Sequence, residues 1–144
     1  MYVMKSIIFV LLVVISISSC KSEDDALIDN ADLVGTWDWV QTSGGLIYFK
    51  ETPETLGKSI TLSFSNNYKF QISQDENEIL SGNYTITYKK SIYTGEMARF
   101  IELSDATIYT GIVLRGIVNT YENTSLTIND NNHDGIGSVF IKAQ

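Results

Sequence analysis

The chain has one cysteine, Cys20, one proline, Pro53, and one histidine, His133, in 144 residues. One cysteine excludes an internal disulfide, so the fold must hold by its core alone. One proline, lying outside every alternating apolar run, leaves the strand candidates unbroken. One histidine excludes multi-histidine metal centres, and no Gly-x-Ser-x-Gly elbow, phosphate loop or paired His/Cys spacing accompanies it. No catalytic constellation is visible, and the expectation is a protein that is not an enzyme. Basic residues are scarce as well: 10 Lys and Arg face 17 Asp and Glu, for a net charge of −7. With Lys50, Lys69, Lys89, Lys90 and Arg115 scattered along the chain, no basic face offers counterion release, which argues against nucleic acid as a partner. The longest apolar stretch, Ile7 to Ile17, falls short of the roughly 20 residues of a bilayer span.

What is present begins with that stretch. One positive charge, Lys5, precedes it, and this order of charge and apolar core is that of a secretory signal. Ile17-Ser18-Ser19-Cys20 follows and resembles the lipobox of bacterial lipoproteins. The resemblance implies that Cys20 is acylated and becomes the mature N-terminus, which uses up a thiol that has no partner; the competing reading is an ordinary cleavage that leaves a stray thiol. Multiple acyl chains, at about 0.8 kcal/mol per buried CH₂, anchor a protein stably in a membrane. Lys21, Ser22, Glu23, Asp24 and Asp25 come next. This basic-then-acidic run resembles the export signal that sends Bacteroidetes-type lipoproteins to the outer face of the outer membrane. The expected division is residues 1–19 as signal peptide, 20–33 as lipidated cysteine and acidic tether, and 34–144 as one domain. Removal of Lys5 leaves nine basic residues against 17 acids, a formal charge of −8.

Beyond Leu33 the apolar residues alternate. Trp37 and Trp39; Ile60, Leu62 and Phe64; Tyr68, Phe70 and Ile72; Leu80, Gly82, Tyr84, Ile86 and Tyr88 each keep a two-residue period. Ala98 to Leu103, then Ile108, Thr110, Ile112 and Leu114, then Leu126 and Ile128, and Ile136 to Ile141 continue the series. Turn signals such as "SNN" at 65–67, "QDEN" at 74–77 and "NDNNHDG" at 129–135 separate them. About eight strands with short links predict an all-β, antiparallel up-and-down barrel, the closed form that removes sheet edges; a β-sandwich is the alternative. "DDALIDNADL" ahead of the first strand has room for one or two helical turns.

Gly35-x-Trp37 in "LVGTWDWVQTSGG" looks like the Gly-x-Trp signature of lipocalins. With Gly44-Gly45, "TPETLGK", "LSFSNNYKF", "SGNYTI" and "LTINDNNHDG" in order, the span from Leu33 to Lys142 resembles the small lipocalin-like lipoproteins of the Bacteroidetes. That resemblance implies an eight-stranded barrel and leaves activity undetermined, because fold does not fix function.

Candidate site residues are few. Trp37 is expected to close one end of the barrel, its indole N–H on an acceptor. Trp39 points to the same face and either plugs the interior or lines a pocket. Tyr48 and Phe49, in the long first loop, are candidates for a ligand-binding mouth, for a short edge strand, or for packing down on the core. Asp130, Asn132 and Asp134 followed by Gly135 repeat the first half of a calcium loop, but the twelfth position is Ile141, so a plain hairpin turn with Gly135 at positive φ is preferred over Ca²⁺. No cofactor is otherwise indicated.

Two functions remain open at this level. One is a lipid-anchored outer-membrane barrel, facing the exterior of a Gram-negative cell, that binds a small apolar or amphipathic ligand. The other is an accessory or structural lipoprotein with a filled barrel that contacts a surface protein partner.

Overall fold

The structure, a computed structural model, describes residues 27–104 and 111–144. Cys20 and the acidic run 21–25 lie outside the described residues, as does the stretch 105–110. Nine antiparallel strands and one helical turn, α1 (Pro53–Leu56), make up the regular structure among the described residues. The strands are β1 (Gly35–Gly44), β2 (Phe49–Glu51), β3 (Ile60–Phe64), β4 (Lys69–Gln74), β5 (Asn77–Lys90), β6 (Met97–Leu103), β7 (Arg115–Tyr121), β8 (Ser125–Asn129) and β9 (Ile136–Lys142). Neighbours in sequence pair from β3 to β9, β3 pairs with β1, and β9 returns to pair with β1. Eight strands thus close into an up-and-down barrel, and the sandwich alternative is excluded. β2 is the extra strand, paired to the far half of β1 through Thr42, Ser43 and Gly44.

Alternation puts one row inside. Trp37, Trp39, Leu62, Phe64, Ile72, Tyr84, Ile101, Leu126, Ile128 and Phe140 join a single buried cluster. Burying such side chains contributes about 1.5 to 3 kcal/mol each relative to exposure, which makes this row the main source of stability. A bulge between Trp39 and Gln41 shifts the register of β1 against β9. Thr42, not Gln41, therefore faces inward, where its hydroxyl lies 2.6 Å from that of Ser138 and 3.1 Å from the Trp39 indole nitrogen, which donates to it.

Two sequence expectations need correction here. The alternation through Ile112 and Leu114 is not a strand: Ile112, Val113 and Leu114 are all buried in succession, and the Val113 N–H donates to the Ser138 hydroxyl inside the barrel. This connection fills the interior, so consecutive residues meet apolar surroundings with no alternation. The strand begins at Arg115 instead. Secondly, residues 27–34 form no helix; Leu33 N–H donates to Asn30 O and Ala31 N–H to the Asp29 carboxylate, a turn of the kind Asp and Asn favour.

That turn caps one barrel end. Leu33 is fully buried and its carbonyl accepts the Trp37 indole N–H at 2.7 Å. The Asn30 amide donates to the Tyr84 hydroxyl at 2.6 Å, and the Tyr68 hydroxyl donates to Ile28 O. Lys142 runs over Gly35, where an added Cβ would sit 2.9 Å from its Cε, and places its ammonium 4.5 Å from the Trp37 ring centroid. Gly35 and Trp37 therefore act together: the glycine lets the lysine reach the ring.

Asp32 seals the same end, accepting from both terminal nitrogens of Arg99 and from the Thr120 hydroxyl. Arg99 holds the Asp32 carboxyl at about 2, against burial, which raises it. A depressed carboxyl stabilises the fold above its unfolded value, and that contribution is lost as pH falls from about 4 through 2. Because the pair is partly solvated, Asp32→Asn should cost only about 1 kcal/mol at pH 7. The gap between native and variant denaturation midpoints should then narrow as pH falls from about 4 through 2; a gap independent of pH would show that the ion pair contributes nothing.

Candidate functional site

With the interior occupied by side chains, the outer wall becomes the place to look for concavity. Strand register aligns Ile117 with Asn129, Asn129 with Gly137, and Gly137 with Ser43, one outward rung across β7, β8, β9 and β1. The adjacent outward rung runs through Asn119, Thr127 and Val139. Gly137 leaves a dent in the first rung, and the Asn129 side-chain oxygen lies 2.1 Å from where a Cβ on Gly137 would be. The Asn129 carboxamide lies in that space, so a side chain at 137 would have to displace it.

The β5–β6 turn forms the opposite side. Ser91 is buried and organises it: its hydroxyl accepts from the N–H groups of Tyr93 and Thr94, and its carbonyl accepts from Gly95. Asn131, in the β8–β9 loop, clasps this turn with both ends of its amide, accepting from Ile92 N–H and donating to Lys90 O, each at 2.9 Å. The Tyr93 hydroxyl donates to Asn132 O at 2.7 Å. Desolvation first, and then the Asp130 and Asp134 carboxylates, push the Tyr93 phenol up from its ordinary value.

Between turn and wall lies a cavity of about 520 Å³, within the range of small-ligand sites. Ile117, Val139, Ile136 and Ala98 give it apolar surface; Ser43, Asn119 and Asn129 give it polar surface, and no Asp, Glu, Lys or Arg lines it. Buried side-chain polar atoms among the described residues all have partners. The half-buried amides of Asn119 and Asn129 make no side-chain hydrogen bond to any described residue. Two amides that make no side-chain hydrogen bond to another described residue thus border the cavity.

The sequence-derived candidates are placed elsewhere and apart. Trp39 sits in the core, 3% exposed, bonded to Thr42. Tyr48 is exposed beside Leu46 and Ile47 on the β1–β2 turn, and Phe49 begins the short edge strand. Trp39 is therefore not joined with Tyr48 and Phe49 in one pocket. Asp130 Oδ1 accepts from Asn132 N–H, and no group of three or more His, Cys, Asp or Glu side chains with metal-holding geometry occurs among the described residues. His133 and Asp134 are exposed on this loop. Gly135 does not take the positive φ expected of it; glycine is required there because a Cβ would lie 2.2 Å from Asp130 Oδ1 and 2.4 Å from the Tyr93 hydroxyl.

Sequence reasoning missed Ser91, Tyr93, Asn119, Asn129, Asn131 and Gly137. The outward positions of Asn119, Asn129 and Gly137 follow from alternation, but their alignment depends on register between strands, which no single segment encodes, and Ser91, Tyr93 and Asn131 lie in turns. No family model, characterised protein or solved structure matches the chain.

Proposed function

We propose that the chain is a non-catalytic binding module, anchored through Cys20 to the outer membrane and facing the exterior, whose filled lipocalin-like barrel is a scaffold for a ligand site on its outer wall. The cavity between the β5–β6 turn and the rung Ile117–Asn129–Gly137–Ser43 carries this reading, because it offers both apolar wall and the side-chain amides of Asn119 and Asn129. A small ligand with an apolar face and a polar face suits it.

Native mass spectrometry of residues 21–144, purified without detergent, tests the reading. An added mass of a few hundred daltons is expected, and Ala98→Trp, which fills the cavity from β6 without touching the interior, should abolish it. A bound mass that survives in Ala98→Trp would place the ligand elsewhere. For the anchor, Cys20→Ala should move the protein from the membrane fraction to the soluble one. Replacing Glu23, Asp24 and Asp25 together should leave it anchored yet protected from protease added to intact cells; unchanged digestion would end the export reading.

The exposed Leu46, Ile47 and Tyr48, at 84%, 87% and 72%, favour a second reading in which the β1–β2 turn meets a protein partner. A bare mass together with a partner lost in Leu46→Ser/Ile47→Ser would support it.

A further inference from the structure

We infer that the ligand of the outer-wall cavity is an uncharged, hydroxyl-rich ring compound, a neutral saccharide, held by the amides of Asn119 and Asn129. This rests on the cavity being the ligand site, and the argument is one of chemical matching.

A side-chain amide carries a donor pair and an acceptor side by side, so it can bond two adjacent hydroxyls at once. Asn129 stands on the same rung as Gly137, and Asn119 stands two residues from Ile117 on β7, so the two amides flank one patch of wall. The hydroxyls of Ser43 and Thr94 border the same space. Polar groups of this number would be left unsatisfied by an alkyl chain, and displacing their water without replacing its bonds loses affinity.

Charge is excluded on separate grounds. No Lys or Arg lines the cavity to pair with an anion, and the chain as a whole is acidic. An ionised ligand against this wall gains no pairing to offset the hydration it loses. No carboxylate is in the lining to pair directly with a cation; Asp130 and Asp134 stand behind Gly135 and Tyr93, and choline as a probe tests that class. The apolar remainder, Ile117, Val139 and the ring of Tyr93, suits the C–H face of a pyranose, whose other edge bears hydroxyls. Roof and floor are both fixed, the roof by the Asn131 clasp and the floor by four paired strands, so little ordering is needed on binding.

The test is a titration of ¹⁵N-labelled residues 21–144, followed at the side-chain amides of Asn119 and Asn129. The probes are neutral disaccharides of glucose, galactose, mannose and xylose, then glucuronate, choline and hexanol. At least one disaccharide should move both amide signals and saturate at about millimolar concentration, the range of −4 kcal/mol. Asn119→Ala, on the outer wall, should weaken that binding at least tenfold while leaving the backbone spectrum of the barrel intact. Glucuronate or choline binding as tightly as the best disaccharide would overturn the claim of neutrality. Movement with hexanol and with no disaccharide would overturn the saccharide class while leaving the cavity as the ligand site. If none of the probes moves either amide, the saccharide assignment and the cavity reading fall together.

Discussion

Trp37→Ala should cost about 3 to 5 kcal/mol, the range for deleting a buried aromatic side chain, and loss of the indole hydrogen bond adds to it. Trp37 is fully buried, sits opposite Leu62 on β3 and Lys142 on β9, and donates to Leu33 O. Truncation therefore removes the packing of the first strand against both neighbours and strips the cap of its one bond to the ring. Against a whole-domain stability of about 5 to 15 kcal/mol, that loss takes much of the margin. Trp37→Phe keeps most of the volume and leaves the Leu33 carbonyl without its partner, so a smaller loss of about 1 to 3 kcal/mol is expected. Chemical denaturation of the three proteins decides the matter. Equal losses in the two variants would mean that the hydrogen bond, and not the ring, holds this end closed.

Gly44→Ala should cost about 2 to 4 kcal/mol, from a backbone conformation that side chains rarely adopt and from a collision. Gly44 has φ +125°, and an added Cβ would lie 2.5 Å from Gly135 O and 3.1 Å from Ile136 Cα, both backbone atoms. Neither can yield cheaply, because Gly44 is paired with Ile136 and Gly45 N–H donates to Gly135 O. Gly57→Ala is the control: φ is +62° there, with nothing within 4 Å of the new atom, so only a conformational cost of about 1 kcal/mol applies. The same denaturation series measures both. If the two variants lost equal stability, the contact between Gly44 and Gly135 would carry no weight.

Strands with large inward residues were legible from the sequence alone. Ile60, Leu62 and Phe64 on β3, and Tyr84 and Ile86 on β5, alternate as a half-buried strand requires, and they are buried as expected. β7 was not, because its inward positions Gly116, Val118 and Thr120 include one aliphatic side chain of moderate size, while Ile117 faces outward and is nevertheless buried. The neighbouring apolar residues 112–114 lent their signal to a strand that lies further along. At Val40 the period itself breaks: extending Trp37 and Trp39 by twos would turn Gln41 and Ser43 inward, whereas the bulge turns in Thr42 and puts Ser43 on the outer wall. The candidate site was hidden for the same reason. Asn119, Asn129 and Gly137 read as ordinary outward residues until register sets their strands side by side.

The pairing of β1 with β9 joins Trp37 to Lys142, about a hundred residues apart, and this separation governs the order in which the chain assembles. Hairpins such as β3–β4 close short loops and form early, whereas closing a loop of this length carries the largest chain-entropy cost in the fold. Closure therefore comes last, after β9 is available to pair. Until then β1 and β9 each keep one unpaired edge, and a curled sheet with two bare edges is the species most prone to stick to its own kind. The Thr42–Ser138 and Lys142–Val34 bonds form only at that step, so any shortening of the C-terminal strand leaves the N-terminal one exposed as well.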